Sequence, residues 1–148
     1  MGRYFIDTNV IVYANDGRHP GKQKCALDLV AAALRDGSGV ISTQVLQEYA
    51  NVALGKLGQR QDVVLRQLVL LERLEVVPQT PALVRRAVEL RGLYGITFWD
   101  AAIVAAAESG GCDRICSEDL NAGQFYGGVA VVNPFAEPQS SPGHSIRR

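Results

Sequence analysis

The amino-acid sequence predicts an α/β fold with a small central parallel sheet and helices on both faces. Two observations carry this prediction. Short apolar runs with the composition of strands alternate along the chain with longer segments in which apolar residues recur at helical spacing. Strands that are separated by helices pair in parallel through right-handed crossover connections. The length of 148 residues suits one compact domain of this kind.

The elements follow from apolar spacing and from the residues that begin and end helices. In the first half they are a strand (residues 4–6), a helical or turn segment (10–14), a helix (22–35), a strand (40–41), a helix capped by Ser42 or Thr43 and running to about Leu57, a helix (61–73) and a strand (74–77). In the second half they are a helix opened by Thr80 and Pro81 and ending near Tyr94, a helix (98–109) capped by Thr97, and strands at 114–116 and 129–132.

We expect residues 1–135 to form the folded domain and residues 136–148 to form a disordered tail. The tail contains Pro138, Pro142, Gly143 and three serines, with almost nothing to bury. No apolar run reaches the roughly 18 residues of a membrane span. A charged residue follows the first short apolar stretch too soon for a signal peptide. The sequence therefore predicts a cytoplasmic protein without a membrane segment.

The composition excludes several kinds of site. Cys25, Cys112 and Cys116 are odd in number, which predicts reduced, buried thiols rather than a disulfide framework. Two histidines and no Cys-x-x-Cys spacing speak against a zinc site. Lys plus Arg and Asp plus Glu are 15 each, so a net charge of zero gives no sign of a nucleic-acid binder. Gly-rich nucleotide-binding motifs are absent from the sequence.

Four acidic residues are predicted to meet at one edge of the sheet. They are Asp7 after the first strand, Glu48 in the helix after the second strand, Asp100 in the first turn of a helix, and Asp119 after the fourth strand. Ligands of open parallel sheets bind beyond the carboxyl ends of the strands. Carboxylates gathered there repel one another unless a divalent cation neutralises them. Because only oxygen ligands are on offer, the pattern favours Mg²⁺ or Mn²⁺, which suit phosphodiester hydrolysis.

Three of these acids also have purely structural interpretations. Asp7 is suited to capping the next helix. Asp100 completes a capping box with Thr97, by reaching back to its backbone. Asp119 fits a plain loop before a helix, and its neighbour Glu118 is an alternative for any role that it has. Each of these acids alone is therefore weak support for a site.

Glu48 argues most directly for a metal site by its own position. It lies three residues after Val45 and four before Val52, on the apolar stripe of its helix. A lone carboxylate is costly to bury, and a bound cation removes that cost. The structural alternative is a solvated edge of the stripe.

Four motifs in this order resemble the PIN-domain family, and specifically the VapC-type toxins of bacterial toxin–antitoxin pairs. They are Phe-Ile-Asp-Thr-Asn-Val at residues 5–10, Ser-Thr-Gln-Val-Leu-Gln-Glu at 42–48, Phe-Trp-Asp-Ala at 98–101 and Ser-Glu-Asp-Leu at 117–120. Val-Val-Asn-Pro-Phe at 131–135 resembles the end of many such domains. The resemblance covers residues 4–135, and its specificity lies in the combination of motifs.

This resemblance implies a PIN-like three-layer α/β/α fold and an endoribonuclease that depends on Mg²⁺ or Mn²⁺. It also implies a homodimer and a small antitoxin partner. Asp7, Glu48 and Asp100 match the family's metal ligands, and Asp119 matches a more variable fourth. Thr8 or Asn9 and Ser117 would be supporting polar groups that orient the carboxylates.

With the four acids set aside as ligands, basic residues exceed the remaining acidic ones, which leaves cations for phosphate contacts. The candidates are Arg3, Arg18, Lys22, Lys24, Lys56, Arg60 and Arg91. Tyr49 and Trp99 lie beside presumed ligands, and we expect both to pack in the core rather than to stack on a base. Two other functions stay open. One is a non-catalytic PIN-like module that binds RNA or protein, and the other is a hydrolase of small phosphate esters.

Overall fold

A computed structural model describes residues 2–136 and shows a six-stranded sheet with flanking helices. In chain order, the elements are β1 (Arg3–Ile6), α1 (Thr8–Ala14), α2 (Pro20–Asp36), β2 (Gly39–Ser42), α3 (Thr43–Leu54), α4 (Gln61–Leu71), β3 (Glu75–Val77), α5 (Pro81–Tyr94), α6 (Phe98–Ser109), β4 (Cys112–Cys116), β5 (Phe125–Tyr126) and β6 (Val129–Val132). Beyond Ala136, the predicted tail lies outside the described residues.

The predicted α/β class with a mainly parallel sheet is confirmed. The strand order is β3-β2-β1-β4-β6-β5, and every pairing is parallel except that of β5 with β6. Strand β1 is internal and pairs with β4 so that Ile6 stands opposite Cys116. The backbone N–H of Asp7 then donates to the carbonyl of Cys116 at 3.0 Å. The residues that follow these two strands are therefore held side by side.

Several helix boundaries differ from those that the sequence predicts. Helix α2 begins at Pro20 rather than at residue 22, because proline suits the first turn of a helix. Helix α3 is capped by Ser42, whose Oγ accepts from the N–H of Val45 at 3.3 Å, and it ends at Leu54 rather than near Leu57. Helix α4 ends at Leu71 rather than at residue 73. The two-residue strand β5 was not predicted, since so short a segment carries no periodicity.

Helix α6 lies at the centre of the packing. Its residues Ala101, Ala102, Ile103, Val104, Ala105, Ala106 and Ala107 are all buried. The helix contacts β2, β4 and β6 on the sheet and packs extensively on α5. Its alanines bring the backbones close, so the N-terminal end of α6, which carries Asp100, has a fixed position beside the sheet.

Within the described residues, the prediction of reduced, buried thiols is confirmed for Cys112 and Cys116, but the predicted burial of Cys25 is wrong. Cys112 and Cys116 are buried on β4, Cys25 is half-buried, and all three are free thiols. Burial raises the pKa of the Cys112 thiol to about 12 and that of the Cys116 thiol to about 11. Among residues 2–136, no helix is both long and apolar enough to span a membrane.

Candidate active site

Asp7 is the most buried of the four predicted acids, with a side chain that is 6% exposed. It is the N-cap of α1, and its Oδ1 accepts from the N–H of Thr8 at 2.7 Å, as the structural interpretation predicts. Its other oxygen, Oδ2, accepts from Oγ of Ser117 at 2.8 Å. Burial raises the pKa of Asp7 to about 6, and the charges of Asp119 and Glu48 add to this rise. Helix capping therefore accounts for the hydrogen bond of Oδ1. It does not account for a carboxylate whose ionised form is disfavoured by burial.

Ser117 organises the loop after β4. Its buried Oγ accepts from the N–H groups of Asp119 and Leu120 at 3.1 and 3.3 Å while it donates to Asp7. Asn9 fastens the same loop to α1, because its Oδ1 accepts from the N–H of Glu118 at 3.0 Å. The Nδ2 of Asn9 donates to Oδ2 of Asp119 at 3.3 Å. Asn9 and Ser117, which the family resemblance implies as supporting polar groups, thus contact the carboxylates of Asp119 and Asp7.

Glu48 lies on α3, opposite the start of α1. Its Oε1 accepts from Oγ1 of Thr8 at 2.6 Å, and its Oε2 accepts from Nε2 of Gln44 at 3.2 Å. The side chain is half-buried, whereas Val45 on the same stripe is fully buried. Glu48 therefore stands at the edge of the apolar stripe rather than within it. Two polar side chains fix the position of its carboxylate.

Asp100 lies in the first turn of α6. Its backbone N–H donates to Oγ1 of Thr97 at 3.1 Å, which confirms Thr97 as the N-cap. Burial raises the pKa of the Asp100 carboxyl, and the charges of Asp119 and Glu48 raise it further. Glu48 and Asp119 thus act electrostatically on both Asp7 and Asp100.

The structure brings all four acids to the carboxyl edge of the sheet. The four carboxylates are not arranged as a complete set of metal ligands. Among residues 2–136, no three Asp, Glu, His or Cys side chains are placed so that they could hold an ion. The chemistry of the donors nevertheless fits Mg²⁺ or Mn²⁺, since all are carboxylate oxygens. A cation bound beside Asp7 would favour its ionised form and so offset the burial that raises its pKa.

Glu118 and Asp119 are adjacent in sequence and have different surroundings. The carboxylate of Glu118 accepts from the hydroxyl of Tyr13 at 2.8 Å and pairs with Nζ of Lys22 at 2.5 Å. The Lys22 ammonium lowers the pKa of Glu118. Asp119 is exposed, bonded by Asn9 and close enough to raise the pKa values of Asp7 and Asp100. Of the two, Asp119 is the one placed with the other acids.

Two further residues near the site differ from expectation or were not anticipated. Trp99 was expected in the core, but its side chain is 62% exposed and stands edge-on to Phe98 at 5.0 Å between ring centroids. Tyr49 is fully buried, as expected. Gln44 was not identified from the sequence, although it is 3% exposed and bonds both Glu48 and the carbonyl of Trp99 at 3.2 Å. Its signal was its spacing, one helical turn before Glu48.

A groove of about 480 Å³ runs from the acids along the space between α1 and α3. Thr8, Asn9, Glu48 and Asp119 line one end of it. Arg18, His19 and Lys56 also line it. Glu48 and Asp119 are therefore open to a ligand larger than a metal ion.

Comparisons with known proteins agree with this geometry. The model of the PIN domain family matches residues 4–127. No match was found among curated proteins. A structure described as a toxin–antitoxin complex from Klebsiella pneumoniae is 22% identical, covers 88% of this chain and 97% of its own, and has a TM-score of 0.68.

Two further structures have the same fold. One is Mycobacterium tuberculosis VapC20, described as a toxin that cleaves the sarcin–ricin loop, with 22% identity, coverage of 78% of this chain and 91% of its own, and a TM-score of 0.60. The other is VapBC2 from Rickettsia felis bound to a DNA fragment from its promoter, with 20% identity, coverage of 78% and 87%, and a TM-score of 0.59. The family match spans most of the sequence, and the chain belongs to the PIN-domain family.

Proposed function

We propose that this protein is a metal-dependent endoribonuclease of the VapC type, the toxin of a toxin–antitoxin module. The observation that carries the proposal is that Glu48 and Asp119 lie close enough to both the buried Asp7 and Asp100 for their charges to raise the pKa values of those two carboxyls. Structural neighbours named as toxins or toxin–antitoxin complexes support the same function. The proposal places the protein in the cytoplasm, with RNA as its substrate.

In this proposal, Asp7, Glu48, Asp100 and Asp119 hold Mg²⁺ or Mn²⁺. A bound divalent cation supplies activation of water and stabilisation of charge on the attacked phosphate. The protein's own contribution is to orient the carboxylates: Ser117 holds Asp7, Thr8 and Gln44 hold Glu48, and Asn9 holds Asp119. Because the groove beside the acids is open, an RNA strand has access to them.

The test is cleavage of structured and single-stranded RNA by purified protein, with Mn²⁺ or with EDTA. Asp7→Asn, Glu48→Gln and Asp100→Asn should each lower the rate by roughly 100-fold or more, as expected for loss of a metal ligand. Asp28→Asn is the matched control, because Asp28 is an exposed acid on α2 that pairs with Lys24. If the wild type and Asp7→Asn are equally inert across a broad RNA panel, the proposal fails.

A non-catalytic PIN-like module that binds RNA or protein is the second candidate. The observation in its favour is that no three acids among the described residues are arranged to hold an ion. Calorimetric titration with Mn²⁺ discriminates between the two functions. A protein that binds no Mn²⁺ at millimolar concentration supports the module and contradicts the nuclease.

A homodimer and a small antitoxin are the partners that this function implies. A mass measurement in solution tests for the homodimer. A short reading frame directly upstream of the gene, co-expressed with the protein, tests for an antitoxin. The partner hypothesis predicts a stable complex whose formation suppresses RNA cleavage.

A further inference from the structure

The sequence offers seven basic residues as candidates for phosphate contacts. In the structure they differ in whether they pair with a carboxylate and in whether they line the groove. Five pair with a carboxylate: Arg3 with Glu75, Arg18 with Asp16, Lys22 with Glu118, Lys24 with Asp28, and Arg60 with Asp62. Arg91 is exposed on α5 and does not line the groove. Arg18 and Lys56 do line it, together with His19.

Arg18 is held in a defined orientation. Its backbone N–H and its Nε donate to Oδ1 of Asp16 at 3.0 and 2.9 Å, and its Nη2 donates to Oδ2 at 2.9 Å. Asp16 is 5% exposed, whereas the Arg18 side chain is 57% exposed. A buried carboxylate thus anchors an exposed guanidinium whose Nη1 has no partner among residues 2–136. An arginine fixed in this way loses little side-chain entropy when it binds an anion.

Lys56 follows the end of α3, on the same side of the groove as Glu48. Within the described part of the chain it pairs with no carboxylate, and it is exposed. It lies eight positions after Glu48 and two positions beyond Leu54, where α3 ends, so the two residues stand more than one helical turn apart.

The surface continues beyond these two cations. A second depression of about 280 Å³ shares Asp16, Arg18 and Lys56 with the groove and is lined further by Asn15, Leu57 and Gln59. Arg18 and Lys56 therefore stand at the junction of two hollows, with the acids at the far end of the first. A chain of several linked phosphates fits this arrangement, whereas a single small phosphate ester leaves most of it empty.

We propose that Arg18 and Lys56 form a binding subsite for a backbone phosphate of single-stranded RNA, displaced along the strand from the phosphate that is cleaved at the acids. This inference rests on the proposed nuclease function and assigns the path of the substrate. The strand lies in the groove between α1 and α3 and leaves over the second depression. Both cations bind the backbone, so the subsite adds affinity without selecting a base.

The first test is the binding of fluorescent single-stranded RNA to protein that carries Asp100→Asn to prevent cleavage. In this background Lys56→Ala should raise the Kd several-fold and reduce the slope of log affinity against log salt by about 0.7, as for one lost phosphate contact on a single strand. The matched control is Lys24→Ala, which removes the same charge from an exposed position on α2 outside the groove. Arg18→Lys is the second variant, because it keeps a cation beside the buried Asp16 while losing the fork geometry.

The second test is cleavage by the otherwise wild-type protein. Lys56→Ala should raise KM and leave kcat within about twofold, because the contact is the same in ground state and transition state. Equal Kd, KM and salt slopes for Lys56→Ala and Lys24→Ala overturn the subsite while leaving the nuclease intact. Absence of all RNA binding overturns the subsite as well. Failure of the nuclease itself shows separately, as wild-type protein that is no more active than Asp7→Asn.

Discussion

Nε2 of Gln44 donates a hydrogen bond to Oε2 of Glu48, one turn further along α3, at 3.2 Å. The same nitrogen lies 3.2 Å from the carbonyl of Trp99, the residue before Asp100. One buried amide thus connects the helix that carries Glu48 to the helix that carries Asp100. We therefore regard Gln44 as a positioning residue that sets the spacing of two carboxylates of the proposed metal site.

Gln44→Ala should weaken Mn²⁺-dependent activity by roughly 10- to 100-fold, the range observed when groups behind metal ligands are removed. Most of this loss should appear as a higher half-saturating Mn²⁺ concentration. A loss of about 1–3 kcal/mol in the free energy of unfolding should accompany it, because the partners of the amide lose a hydrogen bond. The measurement is a Mn²⁺ titration of RNA cleavage, well below the melting temperature of the variant.

Gln47→Ala is the matched control for this change, since Gln47 is exposed on the same helix. It should alter neither the Mn²⁺ requirement nor the stability by a measurable amount. A Gln44→Ala protein that melts earlier but has the wild-type Mn²⁺ requirement would show that Gln44 has only a packing role.

Asp119→Asn should impair activity more than Glu118→Gln. Asp119 raises the pKa values of Asp7 and Asp100, so its carboxylate lies near these two proposed metal ligands. Glu118 is engaged by Tyr13 and Lys22, and glutamine preserves an acceptor for the tyrosine hydroxyl. We expect roughly a 10-fold or greater loss for Asp119→Asn and a loss within about threefold for Glu118→Gln. Parallel rate measurements at saturating and limiting Mn²⁺ give the comparison, and the reverse order would assign the fourth ligand to Glu118.

Metal binding should depend on pH through Asp7. The pKa of its carboxyl is raised to about 6 in the folded protein, above its ordinary value of 3.8, chiefly by burial. Protonation of Asp7 therefore stabilises the metal-free fold at acid pH. Its contribution to the free energy of unfolding, on the order of 1 to 3 kcal/mol, is lost as the pH rises through about 6. A cation binds the ionised group, so below about pH 6 the Mn²⁺ affinity should fall by up to about tenfold per pH unit.

Thermal melting with and without Mn²⁺ measures this coupling. The increase in melting temperature caused by Mn²⁺ should be larger at about pH 7.5 than at about pH 5. Asp7→Asn should lose most of the difference, because asparagine does not titrate. Equal stabilisation by Mn²⁺ at both pH values in the wild type would remove Asp7 from the ligand set.

The sequence was sufficient for the fold class and most elements because periodicity and caps are local signals. Thr80, Thr97 and Ser42 each accept a hydrogen bond from the first turn of a helix, as capping residues do. The end of α3 was placed too late, since Leu57 continues the apolar pattern after the helix has ended at Leu54. Strand β5 depends on its pairing with β6, which no local pattern reveals.

The same distinction between local and tertiary signals applies to the candidate site. The positions of Asp7 and Asp119 beyond neighbouring parallel strands follow from topology, so their proximity was predictable. The burial of Gln44 and the exposure of Trp99 depend on how α3 and α6 pack against each other. The sequence around Trp99 shows an apolar side chain next to an acid, and it does not show whether that side chain faces the core or the solvent. The partition of the basic residues also required tertiary structure, because Lys22 and Lys56 look alike in sequence.

Ser117 supplies the last prediction, because its hydroxyl bonds both Asp7 and the loop that carries Asp119. Ser117→Ala removes a donor that lowers the pKa of Asp7, and it leaves the N–H groups of Asp119 and Leu120 without their acceptor. The free energy of unfolding should fall by about 1–3 kcal/mol. The pH at which Mn²⁺ becomes effective should also rise, because the Asp7 carboxyl is then harder to ionise.

Mn²⁺ titrations of activity over a range of pH, with Ser109→Ala as an exposed control, measure this effect. A structural role confined to the loop would lower stability and leave the pH profile of the Mn²⁺ requirement where it is in the wild type. A displaced profile in Ser117→Ala, with an unchanged one in Ser109→Ala, would show that the serine tunes the charge of Asp7 as well as holding the loop. The two roles separate because the hydroxyl donates to the carboxylate of Asp7, while its oxygen accepts from the N–H groups of Asp119 and Leu120 and from Nδ2 of Asn9.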